Sequence, residues 1–162
     1  MRWLTHLVSG SSAKTHFPTA TLDAIQHAIA ASEHRHAGEI VFAVEGSLPQ
    51  AQLLRGLSPR QRAHEVFAHL RVWNTEHNTG VLAYVLIADH AIEIVADRGI
   101  AAKVAEDEWR AVCTLMQQHF SAGDYQAGAL AGVEAITQIL VRHFPSDGRR
   151  NADELPDRPV LL

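Results

Sequence analysis

Nine residues beginning at Gly80, GVLAYVLIA, are apolar almost without interruption. A strand with apolar side chains on both faces must lie inside a sheet that is covered on both sides. The stretch EIVFAVEG, beginning at Glu39, repeats the pattern: Ile40, Phe42 and Val44 face one way, Val41 and Ala43 the other. Between them lies a helix with a clear start. Ser58 is placed as N-cap, Pro59 at the first helical position and Gln61 at the third, a capping-box arrangement. Ala63, Val66, Phe67 and Leu70 then form an i, i+3, i+4, i+7 stripe. Strand, helical crossover and strand imply that the two strands run parallel. The chain is therefore expected to be an α/β protein.

The remaining elements fit around that unit. TLDAIQHAIAASEHR places Leu22, Ile25 and Ile29 on one helical face, and Gly38 stops the helix. Asp89 and His90 break the second strand from IEIVA, which alternates as a hairpin partner. If Ala88 stands opposite Ala91, Asp97 falls opposite Leu82. A third helix opens on Glu106, Asp107 and Glu108, where acids favour the dipole, and packs through Trp109, Val112, Cys113, Met116 and Phe120. SAGD ends it, with Asp124 capping a fourth helix that carries Ala129, Val133, Ile136 and Leu140 on one side. Gly128 and Gly132, four apart, point to close helix packing. After Pro145 the chain reads as an irregular tail docked by its last apolar residues. The expected architecture is a three-layer α/β/α sandwich, with a small mixed sheet and helices on both faces. Its divisions are an N-terminal extension over 1–16, the α/β domain over 17–144 and the tail over 145–162.

Composition excludes several classes. With 14 basic against 18 acidic residues and no basic stripe, the chain is not expected to bind nucleic acid. No apolar run approaches the ~18 residues of a membrane span, so direct membrane insertion is not expected, and the opening residues do not read as a signal peptide. The cytoplasm is the expected compartment. Cys113, alone and at core spacing, reads as a small buried hydrophobe. There is no Cys-x5-Arg loop, no Asp-x-Asp pair and no Gly-x-Ser-x-Gly elbow, so no catalytic residue is assigned. The 11 histidines show no i, i+4 ligand pair and read as solvated surface groups.

Polar chemistry gathers at one place. Parallel strands begin at the same sheet edge, and an antiparallel partner ends there. Glu39, the segment Glu76–His77–Asn78–Thr79–Gly80 and the segment Asp97–Arg98–Gly99 should meet at this rim, with Lys103, Glu106 or Asp107 brought to it by the next helix. Asn78, Asp97, Glu106 and Asp107 are hard oxygen ligands suited to Ca2+ or Mg2+, while Glu76, His77, Thr79 and Arg98 would line the pocket. The opposite edge offers Glu45, Ser47, Asp89 and His90, which read as ordinary turn residues.

These segments carry a resemblance. HNTGVLAYVLIADHAIEIVADRGI, FSAGDYQAGALAGVEAI and GEIVFAVEGSL follow, in order and spacing, the TPM domain family, also described as TPM phosphatase-like domains. The likeness runs from about Phe17 to Phe144, and LRVW, TEHN, EIVADRGI and ELPDRPV place the chain closest to a soluble bacterial subgroup. The resemblance implies an α/β/α sandwich, divalent-cation binding in some members and acid phosphatase activity in a plant relative. In such families the soluble type is often encoded beside a membrane-associated protein, so the resemblance implies a membrane-associated protein partner. Two turns depart from the family: Thr79 stands where a second Asn is usual, and Asp97–Arg98–Gly99–Ile100 where Gly-Tyr-Gly-Leu is common. The function expected is a soluble binding module, cation-dependent, for such a partner; the alternative is a weak metal-dependent phosphomonoester hydrolase.

Overall fold

The computed structural model describes residues 6, 12–148 and 153–162. Most of the N-terminal extension expected over 1–16 lies outside the described residues. Its last part, however, belongs to the domain. Helix α1 (Ser12–His16) buries Ala13, and Phe17 behind it is 1% exposed in the main core.

The parallel pair forms as expected. Strand β1 (Glu39–Glu45) pairs with β2 (Gly80–Leu86) from Glu39↔Gly80 to Glu45↔Leu86, and every residue of both strands is buried. Strand β3 (Ala91–Ala96) adds antiparallel to β2. A fourth strand, β4 (Val160–Leu161), adds parallel to the other edge of β1, giving the order β3-β2-β1-β4. The tail thus ends as part of the sheet.

One register expectation is corrected. Leu82 faces Val95, and Asp97 donates its N–H to Gly80, so the hairpin pairs two residues away from the expected alignment. The turn is longer than assumed: Ile87 and Ala88 still donate to Glu45 and Gly46 on the β1 side, and His90 closes the turn onto Ile87 with φ of 50°. A slip of two keeps every side chain on its expected face, because the strand period is two.

Helices close both faces. On one, α2 (Thr19–Ser32), α6 (Glu106–Ser121) and α7 (Tyr125–His143) pack Ile25, Ile29, Met116 and Ile136 against Ile40, Phe42, Val44, Ala83 and Ile94. On the other, α3 (Gln50–Leu54) and α4 (Pro59–His69) pack Leu53, Ala63 and Val66 against Val41, Ala43, Leu82, Tyr84 and Leu86. The capping box forms: Ser58 Oγ accepts from the Gln61 N–H, and Gln61 Oε1 accepts from the Ser58 N–H. A short helix α5 (Arg98–Ala101) links β3 to α6. Gly128 and Gly132 let α7 meet α6: a Cβ at Gly128 would stand 2.6 Å from the Phe120 ring, and one at Gly132 2.5 Å from Met116 Sδ. This is an α/β/α sandwich. Cys113 is half-buried against the core rather than within it. Among the described residues, no helix is long and apolar enough to cross a membrane.

Candidate metal centre

The edge where β1 and β2 begin and β3 ends is shared, so the expected rim exists. Asn78 and Asp97 do come together there. The Gly99 N–H donates to Asn78 O (3.0 Å), Arg98 Nη2 donates to Asn78 Oδ1 (3.0 Å), and Asp97 Oδ1 caps α5 by accepting from the Arg98 N–H (2.7 Å). A Cβ at Gly99 would lie 2.6 Å from both His77 O and Asn78 O, so only glycine fits this approach. Thr79 is built into the scaffold through Thr75 and Ala37, and its carbonyl accepts from the Glu39 N–H (3.1 Å). Glu76 and His77 are exposed. Glu106 and Asp107 turn elsewhere: Glu106 reaches Arg60 (3.9 Å) and Asp107 reaches Arg110 (2.8 Å). The rim therefore gathers Asn78, Thr79, Asp97 and Arg98 but not those two acids.

A denser group of carboxylates lies along the same edge. Glu39, the first residue of β1, is only 2% exposed. Its side chain shares the face of Val41, Ala43 and Glu45 because strand positions alternate. Glu33 is the C-cap of α2, where the helix dipole is unfavourable to a negative charge. Asp153 comes from the tail, positioned by Leu155, which is 6% exposed in the second core. One oxygen from each of Glu33, Glu39 and Asp153 lies within 4.8 Å of the others, and Asp153 opens the group to solvent. Asp157 joins them from the same tail, against Glu33.

The electrostatics are one-sided. Among the described residues no lysine or arginine pairs with any of these four acids. Burial pushes the Glu33 carboxyl up to about 8, helped by a hydrogen bond with Asp157 and by the charges of Asp157, Glu39 and Asp153. Burial also raises Glu39 to about 7; a Glu154 backbone N–H works against this, while Asp153, Glu154 and Asp157 add to it. Asp157 is raised too, first by burial. Glu33 Oε1 and Asp157 Oδ1 are shut off from solvent and have no N–H or O–H donor. The two carboxyls can bond each other only if one holds a proton. A proton or a cation must therefore neutralise the group, since buried charge is costly without a partner. Three or four carboxylate oxygens form a hard donor set, which fits Ca2+ or Mg2+.

Sequence reasoning placed Glu39 at this edge but missed Glu33, Asp153 and Asp157. A signal was present: the acids of ADELPD alternate with Leu155 just ahead of the apolar end PVLL.

Other polar groups are scaffold. Glu45 at the far end of β1 is no turn residue. It is 3% exposed and accepts from Arg62 Nε and Nη2 (2.9 Å each) and Tyr84 Oη (2.6 Å). Two histidines are likewise buried rather than solvated. His36 is 0% exposed, accepts from the Gly38 N–H, and is pushed down to about 4 by burial. His6 Nε2 lies 3.0 Å from Asp89 Oδ1, and its Nδ1 accepts from the Leu48 N–H.

The sequence model of the TPM domain matches residues 13–139. The chain belongs to the TPM domain family. Among solved structures it is similar to the BA42 protein of the psychrophilic bacterium Bizionia argentinensis. That pair shares 29% identity over 88% of this chain and 93% of the other, with a TM-score of 0.76. It also resembles the N-terminal domain of a P. gingivalis protein, at 21% identity, 78% and 79% coverage and a TM-score of 0.59, which speaks to fold alone. No curated protein matches the chain. The matched TPM segment includes Glu33 and Glu39 and ends before Asp153 and Asp157.

Proposed function

We propose that this TPM domain is a binding module that takes Ca2+ or Mg2+ through Glu33, Glu39, Asp153 and Asp157, and that the cation-loaded rim meets a protein partner. The observation that carries the reading is Glu39, 2% exposed in a group of acids that, among the described residues, has no lysine or arginine paired with it. A bound cation would supply the missing charge. The partner proposal is supported by Trp73, 51% exposed in the loop that leads to Glu76, whose N–H donates to Glu154 Oε2 of the tail (2.9 Å). Exposed aromatic side chains are favoured anchors in protein interfaces. A membrane-associated protein is the partner class proposed. Phosphomonoester hydrolysis has less support, because two cationic groups expected at the rim are engaged: Arg98 with Asn78, and Lys103 over the Phe144 ring at 4.9 Å.

Calorimetric titration with CaCl2 and MgCl2 tests the reading. Saturable binding at one site, weakened at least tenfold in Glu39→Gln, is expected. Absence of heat and of NMR shifts at Glu33, Glu39, Asp153 and Asp157 would end it.

A further inference from the structure

The edge where β1 and β2 end, opposite the acids, holds a feature that the cation reading leaves unused. A half-enclosed cavity of about 550 Å3 opens there, between the end of β2, the turn into β3, the last turn of α6 and the start of α7. Small-ligand pockets span roughly 300–1,000 Å3, and in open α/β sheets they lie beyond the carboxyl ends of the strands. The described residues that line it all fall within 13–139, the segment matched to the TPM domain.

Its walls are of two kinds. Val85, Ile87 and Ile92 supply an aliphatic side. His16, Tyr125 and Phe120 supply an aromatic one, built as a stack: the His16 and Tyr125 rings lie 4.2 Å apart, and those of Tyr125 and Phe120 5.0 Å apart. Phe17, 1% exposed, meets Tyr125 and Phe120 edge-on at 5.7 and 6.0 Å and fixes the stack from the core. Such a surface favours the face or edge of another flat ring. Polar groups are few. Gln117 Nε2 donates to Ser121 Oγ (3.3 Å), which leaves the Gln117 carbonyl oxygen to accept and the Ser121 hydroxyl to donate. Among the described residues lining the cavity there is no lysine, arginine, aspartate or glutamate. A ligand with a formal charge would lose its hydration there without meeting a fixed counter-charge.

We infer that this cavity is a second ligand site, which takes an uncharged, flat heteroaromatic molecule. The ring lies against the stack of His16, Tyr125 and Phe120, and a neighbouring donor and acceptor on its edge meet Gln117 and Ser121. The site is separate from the acid rim and needs no cation.

NMR titration of the full chain at pH 8, above the usual imidazole range, tests this with three probes. Quinolin-2(1H)-one carries the ring and both edge groups, 2-methoxyquinoline lacks the donor, and quinoline-2-carboxylate adds a charge. The quinolinone should give saturable shifts at the Ile92 and Gly123 amides in cation-free protein, with the carboxylate about tenfold weaker or more. Gln117→Leu should weaken the quinolinone about tenfold and leave 2-methoxyquinoline unchanged. Ser121→Trp, at an exposed position, should fill the mouth and abolish the shifts with little change in Tm. No saturable shift from the quinolinone, equal affinity for the carboxylate, or shifts that persist in Ser121→Trp would overturn the site. Equal weakening of both neutral probes in Gln117→Leu would overturn the edge recognition. Because no cation is present, none of these outcomes depends on the reading of the acid group.

Discussion

Strand β1 begins and ends on a glutamate. Glu39 and Glu45 point to the same face and are 2% and 3% exposed, yet their surroundings are opposite. Glu45 is gripped bidentately by Arg62 and receives the Tyr84 hydroxyl. This pairing drives the Arg62 guanidinium further up, and burial with the bond to Glu45 raises the Tyr84 hydroxyl well above the usual phenol range. Glu39 instead faces Asp153 and Glu33 and takes a backbone N–H from Glu154, with no cationic partner among the described residues. Burial alone therefore does not mark a site. A buried acid that already has its counter-charge is scaffold, whereas one surrounded by other acids has to be neutralised by a proton or by a cation.

The comparison can be broken from either end. The largest effect is expected at Glu45. Arg62→Met leaves a buried carboxylate without its cation and should cost about 3 kcal/mol of unfolding free energy in urea denaturation. At Glu39 the sign reverses. In cation-free protein at pH 8, Glu39→Gln should stabilise by on the order of 2 kcal/mol, because the neutral amide removes a charge that the fold disfavours.

The pH dependence sharpens the contrast. Glu33 and Glu39 titrate higher in the folded chain than in the unfolded one. Their protonated forms favour folding, and that contribution is lost as pH rises from about 4.5 through 7 and 8. His36 acts oppositely: its lowered value means stability is lost as pH falls from 6.5 towards 4. Cation-free protein should therefore be most stable near mildly acidic pH. Added Ca2+ should raise Tm more at pH 8 than at pH 5.5, since protons compete for the same oxygens. Thermal melts at the two pH values check both signs.

A smaller change is expected at Asp97→Ala, which removes the cap of α5 and should cost about 1 kcal/mol. The smallest is expected at Glu106→Gln or Asp107→Asn. Each removes an exposed arginine pair, worth less than about 1 kcal/mol, and should leave cation affinity unchanged.

Strand direction was legible because two-sided apolar runs joined by a capped helix permit only one arrangement. The shared edge followed, and Asn78 does meet Asp97. The fate of individual acids was harder to see. Nothing in local periodicity reveals that Arg60 reaches Glu106 from another element, although the i, i+3 spacing of Asp107 and Arg110 on one helix did allow their pairing. Nor does it reveal that a proline-bearing tail returns more than a hundred residues later to lie beside Glu33 and Glu39. The final apolar residues announced docking, but the location came from tertiary packing against β1. Glu33 was hidden for another reason: an acid at a helix C-terminus looks like a solvated end until a second carboxylate is seen facing it.

The most direct measurement follows the side-chain carboxyl 13C signals of Glu39 and Glu45 in one sample titrated with CaCl2. The account predicts a saturable shift at Glu39 and none of comparable size at Glu45. A stationary Glu39 signal, or equal movement of both, would contradict it.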